Sequence, residues 1–143
     1  MGDLSENFST SEFRCKCGRC DENGDHIVAA PRLITALQAL RSLVSAPIRV
    51  NSGFRCPAHN RAVGGSIHSQ HLYGKAADIV IHGLSVLEMY EQAQRIPSFK
   101  KGGVGIYPAE SFVHVDVRGR KARWGRIEGL YVGIDEAIKS MNV

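Results

Sequence analysis

Ser69-Gln70-His71-Leu72-Tyr73-Gly74-Lys75-Ala76-Ala77-Asp78-Ile79-Val80-Ile81 passes from polar loop to apolar strand. A histidine leaves the loop, Gly74 permits a sharp turn, and small alanines lead into a strand that carries an aspartate. Ala76 to Ile81 has the composition of a buried strand. A carboxylate at Asp78 inside it is unfavourable unless it is paired or binds a metal. A second stretch makes the same demand. In Phe112-Val113-His114-Val115-Asp116-Val117, strand periodicity puts His114 and Asp116 on one face with Phe112 beside them. Two imidazole nitrogens and one carboxylate oxygen are a normal three-ligand set for catalytic zinc, with a position left open for water. Taken singly, His26, His59, His68 and His82 read as surface or packing residues; His71 and His114 are set apart by their company.

Outward from these stretches, the elements alternate. Pro31 to Val44 carries Leu33, Ile34, Leu37, Leu40, Leu43 and Val44 near helical spacing, with a proline where the first turn tolerates one. Ile48 to Ser52 reads as a strand after Pro47. Gly53 to Gly74 reads as a long polar, glycine-rich loop, and loops of that length in small domains are usually functional. Ser85-Val86-Leu87-Glu88 is a capping box opening a helix to about Ile96. Gly102 to Tyr107 and Phe112 to Val117 form an antiparallel hairpin across Pro108-Ala109-Glu110-Ser111. A short helix spans Ile134 to Met141. Residues 1–28 read as irregular, with Phe8 and Phe13 as packing anchors and Asp21-Glu22-Asn23-Gly24-Asp25 as a turn cluster. Interspersed helices and strands with hairpin signals give an α+β class.

The chain has 143 residues, 43% of them hydrophobic and 22% charged, with a formal net charge of +4. That composition excludes a disordered chain, a collagen-like fibre and a coiled coil. The length suits a single domain over residues 1–143, with 1–28 as a cysteine-containing segment packed on it. No apolar run approaches the ~20 residues of a membrane span, and acids in Met1-Gly2-Asp3-Leu4-Ser5-Glu6 do not suit a signal peptide. A slight positive charge favours an acidic partner, either wall polymer or nucleic acid. No basic stripe with interleaved aromatics is present, so nucleic acid is not expected. Lys100-Lys101 and Arg118-Gly119-Arg120-Lys121 read as a solvated charged face. Cys15, Cys17 and Cys20 form C-x-C-x2-C, and Cys56 stands alone. A thiolate metal site, disulfides and free thiols all fit that spacing, and the cysteines are expected to brace the N-terminal segment against the loop carrying Arg55.

Ser69-x-His71-x-x-Gly74-x-Ala76-x-Asp78 resembles the signature of the zinc D,D-peptidases of bacterial cell walls. Ser52-Gly53-Phe54-Arg55-Cys56-Pro57, Asn60 and Gly64-Gly65 resemble the segment before it. Gly102-Gly103-Val104-Gly105-Ile106-Tyr107-Pro108, Phe112-Val113-His114-Val115-Asp116 and Arg123-Trp124 resemble a branch of small members that includes phage lytic enzymes and murein endopeptidases. The resemblance covers about residues 8 to 125. It implies a small α+β domain with a central antiparallel sheet, as in the hedgehog signalling domain. It further implies Zn2+ held by His71, Asp78 and His114, and peptidoglycan stem peptides as substrate. The implied site of action is the bacterial wall or periplasm, reached either by release during phage lysis or by way of a signal since removed, and the expected form is a monomer.

In that reading Arg55 lies near the scissile carbonyl, and Ser69 and Gln70 shape the loop or touch substrate. The resemblance departs at the general base. Several branches carry an acid three residues before the last histidine, where this chain has Ser111. Asp116 is then the first candidate, Glu110 the second and His68 the next, with support of a ligand as the other reading of Asp116. The alternatives are a D-alanyl-D-alanine carboxypeptidase, an L-alanyl-D-glutamate peptidase and a non-catalytic zinc-binding module.

Overall fold

Among the described residues, six strands build one sheet: β1 (Ile48–Ser52), β2 (Ala76–Ile81), β3 (Gly103–Tyr107), β4 (Phe112–Asp116), β5 (Ala122–Ile127) and β6 (Leu130–Val132), in spatial order β1-β2-β4-β3-β5-β6. The computed structural model describes residues 2–17 and 29–141. All pairings are antiparallel except β3 with β5, which is parallel. The class is α+β, as the alternation of elements implies.

The sheet has two chemically different faces, and the period of two along each strand creates them. Val113 and Val115 of β4 and Ala77, Ile79 and Ile81 of β2 point into the core, each no more than 1% exposed. Their neighbours His114, Asp116 and Asp78 point the other way. Against the apolar face lie α1 (Pro31–Val44), α3 (Val86–Ala93) and α4 (Pro97–Lys100), which contribute Leu33, Leu37, Leu40, Met89 and Phe99 to one cluster. Burying a Leu, Ile or Phe side chain contributes roughly 1.5–3 kcal/mol. This face therefore supplies the stability that lets the opposite face stay polar.

Local chemistry sets the element ends. Ser45 closes α1 in the left-handed region with φ 51°, just before Pro47. Ser85 Oγ accepts from the Glu88 N–H at 3.1 Å and the Glu88 carboxylate accepts from the Ser85 N–H at 2.9 Å, completing the capping box of α3. That helix stops at Ala93, short of the expected Ile96, because a residue before proline is pushed out of helical geometry. Ile96 takes φ −92° and ψ 118°, and α4 starts afresh at Pro97. The final helix, α5 (Ile134–Met141), packs on β5.

Several elements have no counterpart in the sequence reading. Residues 53–74 are broken by α2 (Pro57–Ala62) and by a 3-10 turn over Gln70–Tyr73, so that stretch is less loop than expected. The segment called irregular contains a second 3-10 turn at Thr10–Phe13, whose Phe13, like Phe8, is fully buried. β5 and β6 escape notice because only Gly125 of Ala122-Arg123-Trp124-Gly125-Arg126-Ile127 is buried, so no apolar alternation marks it. Glu128 and Gly129 join the pair as a two-residue turn with φ of 50° and 80°. A Glu is an uncommon first residue there, where Asn or Asp is the usual signal. The Asp21–Asp25 cluster, His26 and Cys20 lie outside the described residues.

Candidate active site

The loop leading into β2 explains each fixed position of its motif. Ser69 Oγ accepts from the His71 N–H at 3.2 Å and caps the 3-10 turn. Gly74 closes that turn at φ 67°, in a region L side chains rarely occupy. Ala76 then enters the sheet opposite Asp116, and Asp78 lands opposite His114. The turn thus delivers His71 to the same side as two strand residues. His71 is 2% exposed, Asp78 5% and His114 6%.

The two histidines point their remaining ring nitrogens at one carboxylate oxygen. His71 Nδ1 lies 2.7 Å from the Gly53 carbonyl, which only an Nδ1–H can satisfy, so the Nε2 lone pair faces Asp78 Oδ1 at 3.1 Å. His114 Nε2 lies 2.7 Å from Asp116 Oδ2, which leaves Nδ1 facing the same Asp78 Oδ1 at 3.1 Å. All three ligand atoms fall within 4.8 Å of one another. Tetrahedral zinc with bonds of about 2.0–2.1 Å separates its ligand atoms by roughly 3.3 Å. The residues present fit such an ion, and each histidine carries the outer hydrogen bond that orients a ligand ring.

Burial holds His71 below its ordinary pKa, against the pull of Asp78. Burial acts the same way on His114, but hydrogen bonds to Asp116 and Asp78 outweigh it and raise the group. Burial opposes ionisation of Asp78 too, yet the neighbouring histidines hold it well below the usual carboxylate range. The site is therefore anionic at its centre and ready to exchange a proton for a cation.

Asp116 does not open to the cleft as a base for attacking water would. It is fully buried behind His114. Its Oδ1 accepts from the Gly103 N–H at 2.8 Å and the Arg118 N–H at 3.1 Å, and Arg118 Nη2 reaches Oδ2 at 2.8 Å. Gly103 permits this, since a Cβ there would strike the Asp116 carboxylate. Burial opposes its charge, but the bonds from His114 and Arg118 hold its pKa well below the usual range. Both oxygens are committed, so the geometry is that of a carboxylate orienting a histidine ring.

A cleft of about 240 Å³ lies over His71, Asp78 and His114. Arg55, Ser69, Gln70 and Glu110 line it, whereas His68 is exposed and does not. Arg55 donates to Asp78 Oδ2 through Nη2 at 3.2 Å, to Asn60 Oδ1 at 3.2 Å and to Ser52 Oγ at 3.3 Å. Its backbone N–H also donates to the His71 carbonyl at 3.0 Å. Sequence reasoning missed Arg118, Arg126 and Tyr131, all of which line the cleft. Arg118 belongs to a run that reads as a solvated face, yet it continues the alternation His114, Asp116, Arg118 on the polar side of the strand. Arg126 and Tyr131 sit on the strand pair that was not foreseen. Trp124 packs against His114 with ring centroids 5.0 Å apart and donates to Tyr107 Oη at 3.1 Å, while Tyr73 is 54% exposed and stands off the cleft. A Cβ on Gly105 would collide with the Trp124 ring.

Residues 6–116 match the Peptidase M15 family. Over 85 residues the chain is 34% identical to the probable peptidoglycan L,D-endopeptidase MepK of Haemophilus influenzae, which covers 56% of this chain and 44% of that protein. The corresponding MepK of Escherichia coli K12 is 33% identical over 93 residues, or 60% of this chain and 50% of that one. The zinc D-Ala-D-Ala carboxypeptidase of Streptomyces albus G is 40% identical over 81 residues, 51% of this chain and 31% of that enzyme. The chain thus spans half or less of the length of these curated relatives. Because the match runs through the turn, the strands and the register that converge on Asp78, the chain belongs to the Peptidase M15 family.

Proposed function

We propose that this chain is a zinc-dependent peptidoglycan peptidase, with His71, Asp78 and His114 as ligands, that hydrolyses a stem-peptide or cross-link bond at a D-amino acid. The observation that carries the proposal is the convergence of two outward-anchored histidines on one oxygen of Asp78 beneath an open cleft. Bound zinc supplies Lewis acidity, making a water nucleophilic near neutral pH and polarising a carbonyl. The residues around it do the rest. Arg55, held by three side-chain partners, is oriented to share negative charge developing on the carbonyl oxygen. Glu110, on the turn between β3 and β4, is the cleft-lining carboxylate that no proposed ligand role claims, and it takes the water proton and returns it to the leaving amine. Ser69 holds the His71 turn, and Gln70 contacts substrate from the same turn.

The relatives named peptidoglycan L,D-endopeptidases support cleavage within a peptide as the first reading, and we take a cross-link as its setting. One feature of the cleft supports D-alanyl-D-alanine carboxypeptidase action as the second. Among the described residues, Arg126 carries a buried Nε with no hydrogen-bond partner, a donor suited to a terminal carboxylate. The deciding experiment incubates the protein, with and without chelator, with cross-linked and uncross-linked muropeptides and weighs the products. Chelator-sensitive cleavage of dimers supports the first reading; loss of a single terminal alanine supports the second. A folded, zinc-loaded protein that cuts neither is a binding module, and the proposal then fails. Action at the wall, release during phage lysis and a monomeric state belong to this same proposal.

Two substitutions separate the roles. Arg55→Lys keeps the charge but loses the planar fork. It is expected to lower kcat by about 10²–10³-fold, the effect of removing an oxyanion donor, while metal content measured by elemental analysis is unchanged. Asp116→Asn is expected to weaken metal affinity by about 10–100-fold in a chelator competition, as for other groups that orient a ligand. Turnover at saturating zinc should largely survive. Loss of turnover with zinc still bound would instead return Asp116 to the role of base.

A further inference from the structure

A second cluster of ligand-type side chains lies outside the cleft. Cys15 and Cys17 come from the N-terminal segment and Cys56 from the loop after β1, and their three sulfurs lie within 4.8 Å of one another. Cys56 Sγ and Cys17 Sγ are 3.9 Å apart. Thiolates bound to tetrahedral zinc at about 2.3 Å stand roughly 3.8 Å from each other. A disulfide joins only two sulfurs, whereas a metal ion can draw on all three. The backbone adds donors suited to thiolates. The Cys56 N–H points at Cys15 Sγ at 3.3 Å and the His59 N–H at Cys56 Sγ at 3.4 Å. Such N–H groups stabilise negative charge on metal-bound sulfur. Cys15 is 3% exposed, and Cys17 and Cys56 are half-buried.

We infer that Cys15, Cys17 and Cys56 form a structural thiolate site for a soft divalent cation of the zinc class, separate from the site in the cleft. Three thiolates favour zinc over oxygen-seeking cations such as magnesium or calcium. The inference rests on these three described sulfurs; Cys20, three residues beyond Cys17 in C-x2-C, lies outside the described residues. Its position gives the site a purpose. Cys56 follows Arg55 directly, the Gly53 carbonyl anchors His71, and the Phe54 N–H donates to the Phe13 carbonyl at 3.0 Å. A metal tying Cys15 and Cys17 to Cys56 would clamp the backbone that aims both Arg55 and His71. The thiolates are positioning groups and touch no substrate.

The test is metal counting combined with cobalt spectroscopy on the full chain purified under reducing conditions. The intact protein should hold two zinc equivalents. Its cobalt-substituted form should show intense sulfur-to-cobalt charge-transfer bands in the near ultraviolet. Cys56→Ser should abolish those bands and lower the count by one, whereas His71→Ala should lower the count by one and keep the bands. If Cys56→Ser fails to fold, the wild-type cobalt spectrum and the His71→Ala count still decide the matter. One metal equivalent without charge-transfer bands, or a Cys15, Cys17 or Cys56 disulfide found by mass in the protein as isolated, would overturn the inference. Because the His71→Ala arm reads the cleft alone, failure of either site is visible separately.

Discussion

Asp78→Ala is expected to lower muropeptide hydrolysis by at least about 10³-fold and to release one metal equivalent, with the fold intact by circular dichroism. Lewis-acid stabilisation contributes several kcal/mol to such a transition state, and about 4 kcal/mol corresponds to a thousandfold in rate. Asp78 is the hub of the cluster. Oδ1 faces both histidines and Oδ2 faces Arg55, so its removal takes away a ligand and the anchor of the arginine together. The methyl group of alanine fits a strand already lined by Ala76 and Ala77. The substitution still leaves Arg55 without its carboxylate, and a fall in melting temperature should accompany the loss of activity. Full activity with metal retained would end the proposed ligand assignment. His71→Ala should give the same loss of rate with a smaller change in melting temperature, because the Arg55–Asp78 pair survives.

Glu110→Gln carries the second large effect. It should lower kcat by about 10²–10⁴-fold, the usual range for a general acid–base group, with KM and metal content unchanged. The turn between β3 and β4 bears no core residue at this position, and Glu110 is exposed, so melting temperature should hold. Glu110→Asp, which keeps the carboxylate but shortens its reach, should recover part of the rate. An unaltered kcat in Glu110→Gln would leave the proton transfer to a group other than a cleft carboxylate. Together with Asp116→Asn, this pair of variants assigns the two acids nearest His114 in sequence to different tasks.

Much of the site was legible because its chemistry is local. Ser69, His71 and Gly74 are fixed by one short turn that the sequence spells out through a cap and a left-handed glycine. Asp78 was conspicuous as a charge inside an apolar strand, and His114 with Asp116 as a polar face on a run of valines. Helix α1 matched its expected bounds because apolar periodicity, Pro31 and Pro47 mark both ends, and α5 begins where expected, just after Gly133. The β5–β6 pair was not legible, since its exposed arginines and its Glu128-Gly129 turn carry neither an apolar alternation nor the usual hairpin residues.

The sequence by itself determined which residues could be ligands and which face of each strand they occupy, because alternation is a property of the chain alone. Tertiary structure decided what alternation cannot, namely which strands pair and in what register. Asp78 and His114 meet because β2 and β4 align them as direct partners; a slip of one residue would turn one of them into the core. It also decided depth. His114 and Asp116 share a face, yet the Gly103 N–H and Arg118 enclose one while the other keeps a nitrogen toward the cleft. That difference turns an expected base into a proposed positioning carboxylate.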